Sequence, residues 1–194
     1  MLLNEKIDPK SIGFDIDGVV ADTMTLFLDI ARNEHDIHHV RYNDITHYNL
    51  EDCIDIEPEI ISIIIKKLLD GSYDADLKPL KGSIDVLNRL STKHSPVCFV
   101  TARPVLKPIQ KWMKNQLGVE DSQIDIIATG SFEAKTNVLL SREISWFVED
   151  RLETCFILND AGINPIVFKQ PWNREKHPFK EIGAWHELES MIAF

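Results

Sequence analysis

The chain has 194 residues, 44% hydrophobic and 27% charged, which suits one ordinary folded core with an insertion and excludes wholesale disorder. Its formal net charge of −10 opposes broad docking on a nucleic-acid polymer or an anionic membrane, yet a small anion can still be held locally. No apolar run approaches the roughly 18 to 20 residues of a membrane helix. Even Ile60 to Leu69 is broken by Ser62, Lys66 and Lys67. The start of the chain turns polar at Asn4-Glu5-Lys6, unlike a secretory leader, so a cytoplasmic location is expected. Cys53, Cys98 and Cys155 stand far apart and include no Cys-x-x-Cys pair, which signals neither a zinc knuckle nor a disulfide framework.

In chain order, Ser11 to Phe14 is the first run that reads as a strand, short and interrupted by Gly13. Met24, Phe27, Leu28 and Ala31 then fall at helical spacing, and Pro58 opens a helix carrying Ile61, Ile64, Ile65 and Leu68. Ile84, Leu87 and Leu90 predict a helix over Gly82 to Lys93, leading into a strand over Val97 to Val100. Ile109, Trp112, Met113 and Leu117 mark the next helix, closed by Gly118, before a strand over Ile124 to Ala128. A short helix around Val138 to Leu140 precedes the strand Ser145 to Val148, and Leu152 to Leu158 precedes the strand Ile163 to Phe168. Pro165 suits the start of that strand or a sheet edge. Trp185, Leu188, Met191 and Ile192 supply a last helix. Such alternation indicates an α/β fold, a doubly wound parallel sheet that binds ligands at the carboxyl ends of its strands.

One interval is too long for simple alternation. Eighty-six residues separate Asp15 from Thr101, whereas a strand-helix-strand unit needs about 30. With the helix after Gly82 as the crossover, residues 22–80 read as a small helical cap inserted after the first strand, and residues 1–21 and 81–194 as the core. An insertion at that point belongs over a ligand site, where it can act as a lid.

The strongest chemical signal is Phe14-Asp15-Ile16-Asp17-Gly18, directly after the first strand. Two carboxylates one residue apart point to the same side of an extended chain, and Gly18 permits the sharp turn that follows. Their repulsion calls for a hard divalent cation, and magnesium, which keeps several waters, suits a site with few protein oxygens. A calcium loop starting at Asp15 fails, because its twelfth position is Leu26 rather than Glu. His35, His38 and His39 lack a Cys or carboxylate partner face and make a poor metal set. Neither Gly-x-Gly-x-x-Gly nor a P-loop is present.

Four separated motifs together resemble the haloacid dehalogenase superfamily: Asp15 and Asp17 after the first strand, Thr101 after the second, Lys135, and Glu149-Asp150 after Trp146-Phe147-Val148. The resemblance implies a Rossmann-like core with a cap between the first two motifs, and phosphoryl transfer rather than carbon-halogen cleavage, since the second Asp is typical of the phosphatases and mutases. It implies that Asp15 is the nucleophile and carries an aspartyl phosphate, and that Asp17 is the acid and base. Thr101 and the amide of Ala102 would hold phosphoryl oxygens, and Lys135 would place its charge against the nucleophile and the phosphoryl group. Asp15, Asp17 through its main-chain carbonyl, Asp150 and Glu149 would form the magnesium site, with Asp150 favoured as the direct ligand over Glu149.

Within the superfamily the chain is most similar to small 5'-nucleotidases acting on deoxyribonucleoside monophosphates. The similarity rests on Glu149-Asp150-Arg151, the cap size and Gln170-Pro171-Trp172-Asn173-Arg174. Trp172 is a candidate wall of the site, and Asn173 or Arg174 a candidate to order it, although a structural loop reads equally well. Phe27 and Tyr48 are candidates to stack on a base, or plain cap core. Arg103 can reach a phosphate bidentately. The expected activity is a magnesium-dependent phosphomonoesterase acting on a small phosphorylated substrate, a nucleoside monophosphate first. A sugar-phosphate phosphatase, a phosphomutase and a non-catalytic phosphate-binding protein stay open as alternatives.

Overall fold

The five apolar runs form parallel strands, β1 (Ile12–Phe14), β2 (Val97–Thr101), β3 (Ile124–Ala128), β4 (Trp146–Glu149) and β5 (Asn164–Phe168). A sixth strand, β6 (Lys180–Ile182), extends the sheet beyond β5, giving the order β3-β2-β1-β4-β5-β6. The computed structural model describes residues 6–194, so all but Lys6 of the polar start compared above with a secretory leader lies outside the described residues. β6 escapes sequence patterning because it is three residues long and only Ile182 of Lys-Glu-Ile is buried. Pro165 is the second residue of β5 and precedes the part that pairs with β6, so its missing N–H costs no bond on that side.

Period-two alternation assigns the side chains of each central strand to opposite faces. Phe99 and Val148 belong to one buried cluster, while Cys98, Val100 and Phe147 belong to another. Helices cover both faces. The first face carries α3 (Ser83–His94), α4 (Leu106–Leu117) and α7 (Trp185–Met191), and Phe14 stacks on Trp185 with centroids 5.6 Å apart. The second carries α5 (Ala134–Ser141) and α6 (Leu152–Asp160), whose Leu139 and Leu158 are fully buried. Each such large side chain contributes about 1.5–3 kcal/mol. Gly13 suits the tight packing of β1, since a Cβ there would sit 3.2 Å from the Phe147 ring. Cys98 and Cys155 are buried, as their apolar settings suggest, and burial pushes the Cys98 thiol up to about 12.

Between β1 and α3 lie α1 (Thr23–His35), α2 (Pro58–Asp70) and two short 3-10 turns, Tyr42–Asp44 and Leu50–Asp52. Asp22 caps α1 by accepting from the Thr25 N–H, Pro58 opens α2, and Gly71 closes it at φ 77°. Leu26, Phe27 and Ile30 of α1 and Ile61, Ile64 and Leu68 of α2 are buried, whereas Met24 and Ile65 of the expected stripes are only partly so. The chain leaves and re-enters through paired linkers. The Asp22 N–H donates to the Lys78 carbonyl at 2.8 Å, and the Leu80 N–H donates to the Val20 carbonyl at 2.7 Å.

Candidate active site

The sheet order brings the ends of β1 and β4 side by side, at the point where strand order reverses and ligands bind in such folds. The Asp15 N–H donates to the Val148 carbonyl at 2.9 Å, so the first carboxylate continues the β1–β4 ladder. The chain then turns at Gly18, with φ 71°, and the Ile16 carbonyl collects the amides of Val20 and Ala21.

Asp15, Glu149 and Asp150 are all buried, and each offers a carboxylate oxygen within 4.8 Å of the other two. Lys135, fully buried in the first turn of α5, places Nζ 2.9 Å from Asp15 Oδ1 and 2.8 Å from Glu149 Oε2. One cation therefore faces three buried carboxylates. Burial drives the Asp15 carboxyl up, Lys135 pulls against this, and Glu149 and Asp17 add to it, so that it is pushed up to about 8. Burial, then Glu149 and Asp15, likewise hold the Asp150 carboxyl well above the usual carboxylate range. Burial alone would lower the Lys135 ammonium, but Asp15 and Glu149 outweigh it and raise it. Asp15 Oδ1 has no aligned hydrogen-bond donor. An oxygen-only donor set with two negative charges in excess fits a hard divalent cation. Among the described residues this is the only cluster of metal-ligating side chains, and the three histidines take no part in it.

The two acidic residues of the fourth motif differ in their bonding. Glu149 is fully engaged: Oε2 accepts from Lys135, and Oε1 accepts the amides of Asp150 and Arg151 at 3.1 Å each. Asp150 accepts one side-chain bond, at Oδ2.

Asp17 stands apart from the cluster. Its Oδ1 accepts from the Thr23 hydroxyl at 2.6 Å and from Arg103 Nη2 at 2.7 Å, and its Oδ2 accepts from Arg103 Nε at 2.9 Å. Burial would raise this carboxyl, but the Arg103 guanidinium overrides it and the net shift is downward. Thr101 ends β2 with its Oγ1 accepting the Arg103 N–H at 3.2 Å, which leaves its own proton free to donate. Ala102 follows, half-buried.

Beside these groups opens a cavity of about 430 Å³. Asp15, Asp17 and Thr101 line it together with Met24, Tyr48, Leu50, Ile65, Leu69 and Phe132. Tyr48 meets Phe132 edge-on at 5.6 Å, and the Arg151 guanidinium lies 4.0 Å from the Phe132 centroid.

A model of the 5' nucleotidase, deoxy (pyrimidine), cytosolic type C protein family matches residues 9–194. The chain belongs to this 5'-nucleotidase family. It is thus a 5'-nucleotidase-like hydrolase, a phosphatase by family. No curated protein matches it. Solved structures share its fold at low identity. CbbY from Rhodobacter sphaeroides in complex with xylulose 1,5-bisphosphate has a TM-score of 0.57 at 16% identity, over 95% of this chain and 99% of that one. A superfamily hydrolase from Ehrlichia chaffeensis has a TM-score of 0.52 at 14% identity, over 96% of both chains. A haloacid dehalogenase-like family protein from Streptococcus pneumoniae has a TM-score of 0.55 at 16% identity, over 97% of this chain and 91% of that one.

In this 5'-nucleotidase-family chain the candidates after β5 separate. Trp172 does not line the cavity; it is buried against Asp150 and Gly18. Asn173 orders the turn by donating to the Asp150 and Phe168 carbonyls at 2.7 and 2.8 Å, whereas Arg174 pairs with Glu181 at the surface. Phe27 is buried core and Tyr48 lines the cavity. Sequence reasoning missed Thr23, Phe132 and the role of Arg151. For Phe132 and Arg151, proximity to Lys135 and Asp150 in the sequence was the one available signal.

Proposed function

We propose that the chain is a magnesium-dependent phosphomonoesterase that works through an aspartyl phosphate on Asp15 and hydrolyses (deoxy)nucleoside monophosphates in the cytoplasm. The observation that carries this reading is Asp15 lining a mainly apolar cavity, paired with Lys135 and neighboured by Glu149 and Asp150.

In this reading Asp15 attacks phosphorus while the bond to the departing alcohol breaks, and Asp17 delivers a proton to that oxygen, which requires that it first be released from the Arg103 fork that favours its ionised form. Asp17 then takes a proton from the water that cleaves the acyl phosphate. The Thr101 hydroxyl and the Ala102 amide receive phosphoryl oxygens and Lys135 offsets their charge, while Arg103, expected to reach a phosphate bidentately, instead spends its fork on Asp17 and its third nitrogen on the Leu68 carbonyl. Asp15, Asp150 and the Asp17 main-chain carbonyl would hold the cation, with Glu149 fixing Lys135 from behind. Bound there, magnesium would supply positive charge against the phosphoryl oxygens.

Residues 22–80 act as the cap in this reading, and residues 1–21 and 81–194 as the core; the paired linkers at Val20–Asp22 and Lys78–Leu80 favour that division. The cavity wall favours a nucleoside over a sugar phosphate. Met24, Leu50, Ile65, Leu69 and Phe132 offer apolar area for a base and few partners for a polyol.

The test is phosphate release from nucleoside monophosphates, deoxynucleotides and sugar phosphates, with magnesium or chelator, for wild type and Asp15→Asn. Magnesium-dependent release that vanishes in Asp15→Asn is expected, with nucleotides preferred. Isomerisation without phosphate release would replace the reading with a mutase, and inertness across the panel would remove it.

A further inference from the structure

We propose that Trp172 is a positioning residue that orients the Asp150 carboxylate and thereby sets the affinity of the site for its divalent cation. The inference rests on the metal reading above. Asp150 is buried, and its Oδ2 accepts the Trp172 indole Nε1–H at 3.0 Å. An indole N–H only donates, so Trp172 neither ligates a cation nor takes up a proton; it selects one carboxylate oxygen and fixes the side-chain torsion. The one described bond to this carboxylate is at Oδ2, so Oδ1 is the oxygen left for the cation.

The carboxylate is confined from the opposite side too. A Cβ on Gly18 would lie 2.1 Å from Asp150 Oδ2 and 3.2 Å from Trp172 Cζ2, so the Gly18 backbone, the carboxylate and the indole are in direct contact. Behind the indole, the support continues. The Tyr42 ring lies 5.9 Å from the Trp172 ring, and its hydroxyl donates to Gln170 Oε1 at 2.8 Å. Gln170 Nε2–H donates to the Gly18 carbonyl at 2.7 Å, and the Gln170 N–H donates to Asn173 Oδ1 at 2.9 Å. The turn Pro171–Asn173 is thus braced against the Asp15–Gly18 turn and against the insertion. A surface loop would need none of these bonds. Outer partners of this kind change metal affinity by about 10- to 100-fold.

The experiment is calorimetric titration of magnesium into the full chain, freed of metal with chelator, for wild type and Trp172→Phe. Phe keeps an aromatic ring in the slot and removes the donor. Expected is a Kd for magnesium raised about 10- to 100-fold, with the circular dichroism spectrum unchanged and with Tyr42→Phe, which leaves Asp150 untouched, affected less. Equal affinity in wild type and Trp172→Phe overturns the role of Trp172 and leaves the metal reading standing. A wild type that takes up no magnesium overturns both. Should Trp172→Phe not fold, the wild-type indole N–H resonances decide: a shift of one of them on saturation with magnesium supports the inference, and no shift in any overturns it.

Discussion

Arg103 grips both carboxylate oxygens of Asp17, and its remaining nitrogen, Nη1, donates to the Leu68 carbonyl of α2 at 2.6 Å. One guanidinium thus joins the proposed acid and base to the last turns of the inserted helix. A fork of two charge-assisted bonds fixes the carboxylate plane, which a lysine ammonium cannot do.

Arg103→Lys is therefore expected to lower kcat by more than it raises KM, because charge is kept and orientation is lost. Arg103→Ala should lose both and also destabilise the fold by about 2 kcal/mol. That is below the 3–5 kcal/mol of a fully buried pair, since the Asp17 side chain is 27% exposed. Steady-state kinetics with urea melts check this; an Arg103→Lys enzyme with wild-type kcat would refute it.

Lys135 is the single cation among three buried carboxylates, so its removal leaves their charge uncompensated. Lys135→Met, of similar length, should cost about 3–5 kcal/mol in chelator. Saturating magnesium should return part of that loss, because a cation at Asp15 and Asp150 relieves the same repulsion. Denaturant melts with and without magnesium measure both quantities, and a loss below about 1 kcal/mol would mean that Lys135 is not compensating this cluster.

The pH dependence of the chelated protein follows from the same cluster. The Asp15 carboxyl is raised by burial from its ordinary 3.8 to about 8, against the pull of Lys135. A folded-state value raised above the unfolded one gives stability that is full below about 3.8 and lost as pH rises through about 8. Asp150 is displaced in the same direction by burial and by Glu149. Unfolding free energy in chelator, read from denaturant melts, should fall from pH 5 to pH 8 by at most about 1.4 kcal/mol per pH unit for each group. Asp15→Asn or saturating magnesium should flatten the slope; an unchanged slope in Asp15→Asn would contradict the assignment.

Much of this was legible in the sequence because it is written in local pattern. Strands such as Val97–Thr101 and Ile124–Ala128 are apolar runs bounded by turns, and Asp15 stands directly after the first of the strands, whereas Lys135 and Asp150, set among polar neighbours, were legible only through the resemblance of the four motifs taken together. What local pattern does not carry is which distant side chains meet. Arg103 and Asp17 are 86 residues apart, Trp172 and Asp150 are 22 apart, and both pairs meet only because the sheet order places their strand ends together. Tyr48 reads in the sequence as a base-stacking candidate or as plain cap core, and only the fold shows that it lines the cavity, beside Phe132.

Gly18 offers the sharpest test of how tightly the site is assembled. Its φ of 71° is unfavourable for any residue with a Cβ, at about 1–2 kcal/mol, and a Cβ there would overlap Asp150 Oδ2. The carboxylate cannot step aside without breaking its bond to Trp172, which is itself buried. Gly18→Ala should therefore lower stability by at least about 1–2 kcal/mol and, in the fraction that folds, weaken magnesium binding about tenfold or more. Gly118, whose φ is 62° but whose added Cβ would meet nothing within 4 Å, supplies the control. Gly118→Ala should show the backbone cost alone, with magnesium affinity unchanged. If the two variants lose stability equally and both keep wild-type affinity, the contact between Gly18, Asp150 and Trp172 does not govern the site.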